Sequence, residues 1–129
     1  MIRLNGGWQK VSTVPRLLSQ AMICYDNQFY KLGEKASSIY ERLTPEAFTT
    51  RITGSAVTDA AFIATGRISA RIWNNTLSYD VAAGMAVVLG AGGHVTGFSG
   101  EPVNVMAPKV VMSSDVTLHT SLLGLISSV

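Results

Sequence analysis

The sequence predicts an α/β fold, a layered mixed β-sheet flanked by helices. Two observations carry this. Short apolar runs alternate with segments of helical periodicity along most of the chain, the signature of sheet and helix layers. Turn-forming pairs such as Asp26-Asn27 and Gly54-Ser55 stand at the junctions. The 129 residues fit one compact domain, and no linker, repeat or low-complexity tract divides them. Residues 1–129 therefore read as a single domain.

The elements follow in order. The opening to about Ser19 mixes Gly6, Gly7 and Pro15 with polar residues and reads as irregular, with one short strand. "QAMICY" is a buried strand. "QFYKLGEKASSIYERL" spaces Phe29, Leu32, Ala36, Ile39, Tyr40 and Leu43 as a helix face. Asp26 or Asn27 can cap that helix, and Thr44-Pro45 should end it, because a residue before proline avoids helical angles. "TTRIT" is a strand. "AVTDAAFIATG" is an Ala-rich helix stopped by Gly66. "RISARIW" alternates like a strand with one buried face. "SYDVAAGMAVVLGAGG" is a second small-residue helix, "HVTGF" a strand, "SGEP" a turn and "KVVMSS" a strand. "DVTLHTSLLGLISSV" closes as a helix capped by Ser114 or Asp115.

Composition narrows the function. Charged residues are 14% of the chain, against about 25% in typical domains. Two explanations stand: surface meant to be covered, or a chain simply rich in Ser, Thr and Gly. The net charge of +2, with Lys and Arg scattered, argues against a nucleic-acid partner. The single Cys24, in a buried strand, excludes an internal disulfide and a Cys-based zinc site and reads as an inert core thiol. The uncharged stretch from Val81 to Phe98 is interrupted by Gly84, Gly90, Gly92, Gly93 and Gly97, so it reads as helix, turn and strand rather than a membrane span. The opening residues lack an apolar signal core. A soluble, cytoplasmic protein without a membrane partner is the expectation.

Three features could carry chemistry. Gly54-Ser55 opens a helix, where free N–H groups favour an anion or a polar ligand oxygen. It is not a P-loop, since no Gly-Lys-Ser/Thr follows. Asp80 heads an uncharged run, as a helix cap or as a metal ligand with partners elsewhere. Asp59 sits inside the Ala-rich helix and reads as a half-buried acid paired with a neighbour. His94 and His119 are far apart in sequence, match no metal spacing, and read as structural or surface residues. Ser55 and Ser78 have no adjacent His–Asp arrangement.

Taken together, "RITGSAVTDAAFIATGRISA", "SYDVAAGMAVVLGAGGHVTGFSGEP" and "VVMSSDVTLHTSLLGLI" resemble the C-terminal half of the inositol monophosphatase family. Arg51, Gly54, Ser55, Ala56, Asp59, Gly66 and Arg67 match its Arg-x-x-Gly-Ser-Ala-Ala run and the helix after it. Asp80, Ala82, Ala83 and Gly84 match its Trp-Asp-x-Ala-Ala-Gly motif, and Ala91, Gly92 and Gly93 its Glu-Ala-Gly-Gly. The opening "RLNGGWQKVS" faintly resembles the Asn-Gly strand before this half. The resemblance implies a Mg²⁺-dependent phosphomonoesterase, commonly dimeric, acting on a small phosphorylated substrate such as a sugar or polyol phosphate. It implies that Asp80 binds the second metal and that Gly54, Ser55 and Ala56 touch the substrate.

The departures are as informative. Tyr79 replaces the family's Trp, and Gly90 the Glu of Glu-Ala-Gly-Gly. Trp73 stands where inositol-specific members place a Glu against a sugar hydroxyl, so the resemblance does not extend to that contact. The family's N-terminal half supplies a metal-binding Glu and an Asp-Pro-x-Asp-Gly-Thr motif. The eight acids here include no Asp-x-x-Asp pair and no Asp-Gly-Thr. A Mg²⁺ site uses hard oxygen ligands, and a two-metal site needs bridging carboxylates. The chain is therefore expected to name no catalytic residue of its own and to be inactive alone. It reads as a truncated product or one partner of a split enzyme, completed by a complementary N-terminal half and forming a homo-oligomer or that heteromeric pair. A non-catalytic interaction or dimerisation module that kept the fold is the alternative. An unrelated α/β domain holding a phosphate at Gly54-Ser55 is a third.

Overall fold

The computed structural model describes residues 2–11, 14–75, 78–104, 106 and 109–129. A five-stranded mixed sheet lies between two pairs of helices. Its strands are β3 (Met22–Cys24), β4 (Thr49–Arg51), β5 (Ala70–Trp73), β6 (His94–Thr96) and β7 (Val110–Ser113), in the order β4-β3-β5-β7-β6. β4, β3 and β5 are parallel, while β7 runs antiparallel to β5 and to β6. The helices are α1 (Glu34–Glu46), α2 (Ala56–Ala64), α3 (Ser78–Gly90) and α4 (Val116–Ser127).

Strand alternation divides the interior into two cores. Ile23, Tyr25, Ala70, Ile72 and Val111 face Ile39 and Leu43 of α1 and Leu118, Leu122 and Ile126 of α4. Cys24, Trp73, Val110 and Met112 face Ala60, Ile63 and Ala64 of α2 and Val81 and Val88 of α3. β3 thus leads into a helix on one face and β4 into a helix on the other. That divergence falls at the carboxyl ends of the parallel strands, the place where open α/β sheets hold ligands.

The α2–α3 layer is closely packed because its residues are small. A Cβ at Gly84 would lie 3.2 Å from the Ala60 Cβ and 3.3 Å from the Met112 Cε. At Gly93 it would meet Val88 Cγ1 at 2.6 Å and the Ser113 carbonyl at 2.9 Å, so the Gly-Gly after α3 is required where the chain turns onto the sheet edge.

Three local expectations are corrected. The opening is not irregular with one strand: β1 (Ile2–Leu4) and β2 (Gly7–Gln9) form an antiparallel hairpin. Asn5 and Gly6, with φ of 50° and 82°, supply the two left-handed residues that a tight hairpin turn needs. Neither Asp26 nor Asn27 caps α1, which starts later, after a 3-10 turn at Phe29–Lys31, with Gly33 in the cap position. The Asp26 carboxylate is engaged elsewhere. At its other end α1 runs through Pro45 to Glu46. Pro45 removes only a bond to the carbonyl of Glu41, an exposed residue that water can serve. The Ala47 N–H still closes the helix on the Leu43 carbonyl, holding Leu43 in the core.

Candidate functional site

The β4–α2 turn is built for a helix entry. Gly54 has φ +79°, in the left-handed region that glycine adopts without cost. Ser55 then caps α2, its Oγ accepting from the Thr58 N–H at 3.3 Å. The Ser55 N–H itself donates to Thr53 Oγ1 at 3.2 Å, so it is not free for a ligand. The Asp59 N–H bonds the Ser55 carbonyl, as helix geometry requires. The N–H groups of Ala56 and Val57 begin the helix and, by that geometry, have no carbonyl of their own helix to meet.

Asp59 proves fully rather than half-buried, and it is paired, as its type demanded. Its Oδ1 accepts from Thr53 Oγ1 at 2.6 Å and its Oδ2 from Arg71 Nε at 2.7 Å. Arg71 reaches across to Asp26, with Nη1 2.9 Å from Oδ1. The other Asp26 oxygen accepts from the Asn74 backbone N–H at 2.7 Å and the Asn74 Nδ2 at 3.0 Å. The guanidinium carbon lies 4.6 Å from the centre of the Trp73 ring, a cation–π geometry. Sequence reading missed this network. Its members are 12 and 45 positions apart, and only the strand order joins them. The signal available was an arginine in the middle of a strand that is otherwise apolar.

Asp80 lies in the first turn of α3, which residues 74–77 connect to the carboxyl end of β5. Its side chain, like that of Ser78, is outside the described residues. The helix is described, and it packs beside α2. The Gly54-Ser55-Ala56 turn and the Asp80 backbone are therefore brought to the same edge and face of the sheet.

Other sequence candidates resolve as structure. Cys24 is buried and its thiol is pushed up to about 12, by burial first and then by the Asp59 carboxylate, so it carries no thiolate at neutral pH. His94 and His119, distant in sequence, have ring centres 6.1 Å apart. His119 is structural. Its Nδ1 pairs with Ser113 Oγ at 2.7 Å and its Nε2 with Thr96 Oγ1 at 2.8 Å. Burial, then the His94 charge, lowers it to about 4, so it stays neutral. Trp73 is core, and its Nε1 is buried without a hydrogen-bond partner among the described residues.

The acids available for a metal can be sorted by their present engagements. Asp26 and Asp59 serve Arg71. Asp115 caps α4 through the Leu118 N–H at 2.9 Å. Glu101 Oε2 accepts the Ser99 N–H at 3.0 Å. Glu34, Glu41 and Glu46 belong to α1, across the sheet from α2 and α3. Asp80 belongs to α3, on the α2 side of the sheet, and its side chain is outside the described residues. Among the described residues, no group of three or more His, Cys, Asp or Glu side chains is placed to hold a metal ion.

Comparison with known proteins gives this arrangement a lineage. The inositol monophosphatase family model matches residues 4–129. The chain belongs to the inositol monophosphatase family. A fructose-1,6-bisphosphatase/inositol-1-monophosphatase of Thermotoga maritima is 32% identical over 89 residues, 69% of this chain and 34% of that protein. An inositol-1-monophosphatase of Caulobacter vibrioides is 34% identical over 70 residues, 54% of this chain and 27% of that one. The fold superimposes on an inositol monophosphatase from Thermotoga maritima with a TM-score of 0.81 at 26% identity, covering 96% of this chain and 46% of that chain. An inositol monophosphatase from Anabaena gives 0.83 at 24% identity, covering 93% and 48%. The chain spans less than half the length of these solved relatives.

Among the described residues, no helix is long and apolar enough to cross a membrane.

Proposed function

We propose that this chain is the C-terminal portion of a Mg²⁺-dependent phosphomonoesterase acting on a small sugar or polyol phosphate, and that it works only with a complementary N-terminal half. The supporting observation is the joint placement of the Gly54-Ser55-Ala56 turn and the Asp80 helix at the carboxyl edge of the parallel strands. The turn offers the first N–H groups of α2 to a phosphate oxygen. Asp80 offers one carboxylate to the second metal. Bound Mg²⁺ would supply Lewis-acid stabilisation of the ester and activation of a water. This chain's residues bind and orient the phosphate, and the bridging carboxylates come from the other half.

The outer face of α3 supports the need for that half. Tyr79, Ala82, Ala83, Ala86 and Leu89 are all exposed and recur at helical spacing. Val57 of neighbouring α2 is also exposed. No Asp, Glu, Lys or Arg occurs from Val81 to Phe98. An apolar helix stripe of this kind beside a binding edge marks a surface for a partner. The N-terminal half is the occupant proposed here, and a second copy of the chain is the competing outcome.

The test mixes the purified chain with an N-terminal half carrying the Asp-Pro-x-Asp-Gly-Thr segment. Phosphatase activity should appear only in the mixture and should require Mg²⁺. Asp80→Ala should abolish it while leaving the fold intact. Full activity of that variant would reduce Asp80 to a first-turn helix residue. Trp73 favours one second reading, a non-catalytic interaction module, because a core side chain occupies the position of a substrate-contacting acid. Stable assembly of the two halves without any turnover would select that reading.

A further inference from the structure

The Asp26–Arg71–Asp59 network is buried, and it is a costly way to fill a core. Arg71, Asp26 and Asp59 are 4%, 5% and 0% exposed, and such an arrangement commonly adds no stability over apolar side chains of the same volume. Its geometry shows what it joins. One arm runs from Arg71 Nε to Asp59, from Asp59 to Thr53 Oγ1, and from there to the Ser55 N–H in the β4–α2 turn. The other runs from Arg71 Nη1 to Asp26 and on to the backbone and side-chain N–H groups of Asn74. Asn74 opens the connection that leads to Asp80. A contact of Nη1 with the Ile72 carbonyl and the stacking on Trp73 leave the guanidinium little room to turn.

We infer that Arg71 is a positioning residue that sets the Gly54-Ser55 turn and the Asp80 segment relative to one another. The inference rests on the reading that these two segments form one site. A fork geometry is required. A guanidinium binds Asp59 through one nitrogen and Asp26 through another, in fixed relation, which a lysine ammonium cannot reproduce. Arg71 is buried, 4% exposed, and its reach is through its neighbours. It acts through Thr53 on the turn and through Asn74 on the approach to the metal ligand.

Three variants separate this role from simple core filling. Arg71→Lys keeps the buried charge and breaks the fork. Thr53→Val cuts the turn arm at an exposed residue, and Asp26→Asn perturbs the Asn74 arm alone. The first readout is the set of backbone NMR order parameters of the chain itself. Arg71→Lys should lower Gly54, Ser55 and Asn74 from about 0.85 to below about 0.6. Thr53→Val should lower Gly54 and Ser55 only, and α4 should keep its order in both. The second readout is kinetics of the chain assembled with its N-terminal half. Thr53→Val should raise KM for the phosphate ester, Asp26→Asn should raise the Mg²⁺ concentration for half-activity, and Arg71→Lys should do both, by on the order of 10–100-fold. A lower melting temperature with unchanged order in both arms would overturn the proposal, as would an effect of Arg71→Lys on one arm alone. If Arg71→Lys does not fold, Thr53→Val decides, and an unaltered turn in that variant overturns it. Inactivity of the assembled halves would refute the phosphatase reading while the order parameters still judge the link.

Discussion

At the scale of single residues, burial decides which polar groups are chemistry and which are architecture. Asp59 and Asp26 looked from sequence like a paired acid and a helix cap. Asp59 is paired as expected, with Arg71, whereas Asp26 serves Arg71 instead of capping α1, which starts at Glu34. His119 shows the same economy, bridging β6, β7 and α4 as a neutral ring. Its lowered value has a measurable consequence. The folded state holds His119 near 4, against a usual 6.5. Above pH 6.5 neither the folded nor the unfolded ring is charged and the stability is fully present. As the pH falls from 6.5 towards 4 the unfolded chain takes up a proton that the folded chain refuses, which costs up to about 3 kcal/mol. Urea unfolding should therefore show a midpoint that drops across this window. His119→Asn, less stable at pH 7, should show a shallower drop, and an equal slope in both proteins would assign the effect to other groups.

At the scale of elements, most strands and helices were legible because each follows one periodicity. β5, β7 and the last three helices lie within a few residues of their sequence expectations. What escaped was set by partners distant in the chain or by turn chemistry at short range. The β1–β2 hairpin needed only the Asn5-Gly6 pair to be weighed, whereas the Arg71 network needed the parallel pairing of β3 with β5. The Gly54-Ser55 turn was legible as a helix entry, but its occupied Ser55 N–H was not, since Thr53 takes it by side-chain geometry. Two substitutions test the helix arguments. Asp115→Ala removes the buried cap of α4 and should cost about 1 kcal/mol, read as a lower thermal midpoint. An unchanged midpoint would mean that core packing alone fixes that helix end. Gly84→Leu should force α3 away from Ala60 and Met112 and cost about 1–3 kcal/mol. Equal stability of that variant and the parent chain would show that the two helices are not held at close approach.

At the scale of the molecule, a sheet with a helix pair on each face presents its candidate site at one edge and an apolar α3 stripe beside it. The low charge content has its local counterpart there, since the exposed alanines of α3 lie within the uncharged stretch. The family and the fold were readable from spaced motifs, because Gly54, Ser55 and Gly84 each sit where one backbone or packing requirement holds. The exposed apolar face of α3 names no partner. The proposed function makes this chain one part of a shared phosphatase site. The most direct test is Mg²⁺-dependent hydrolysis of a small polyol phosphate, measured for the chain alone, for the N-terminal half alone, and for the two mixed. Turnover is expected in the mixture only, and it should be lost with Asp80→Ala. Mg²⁺-dependent turnover by the 129-residue chain alone would contradict it.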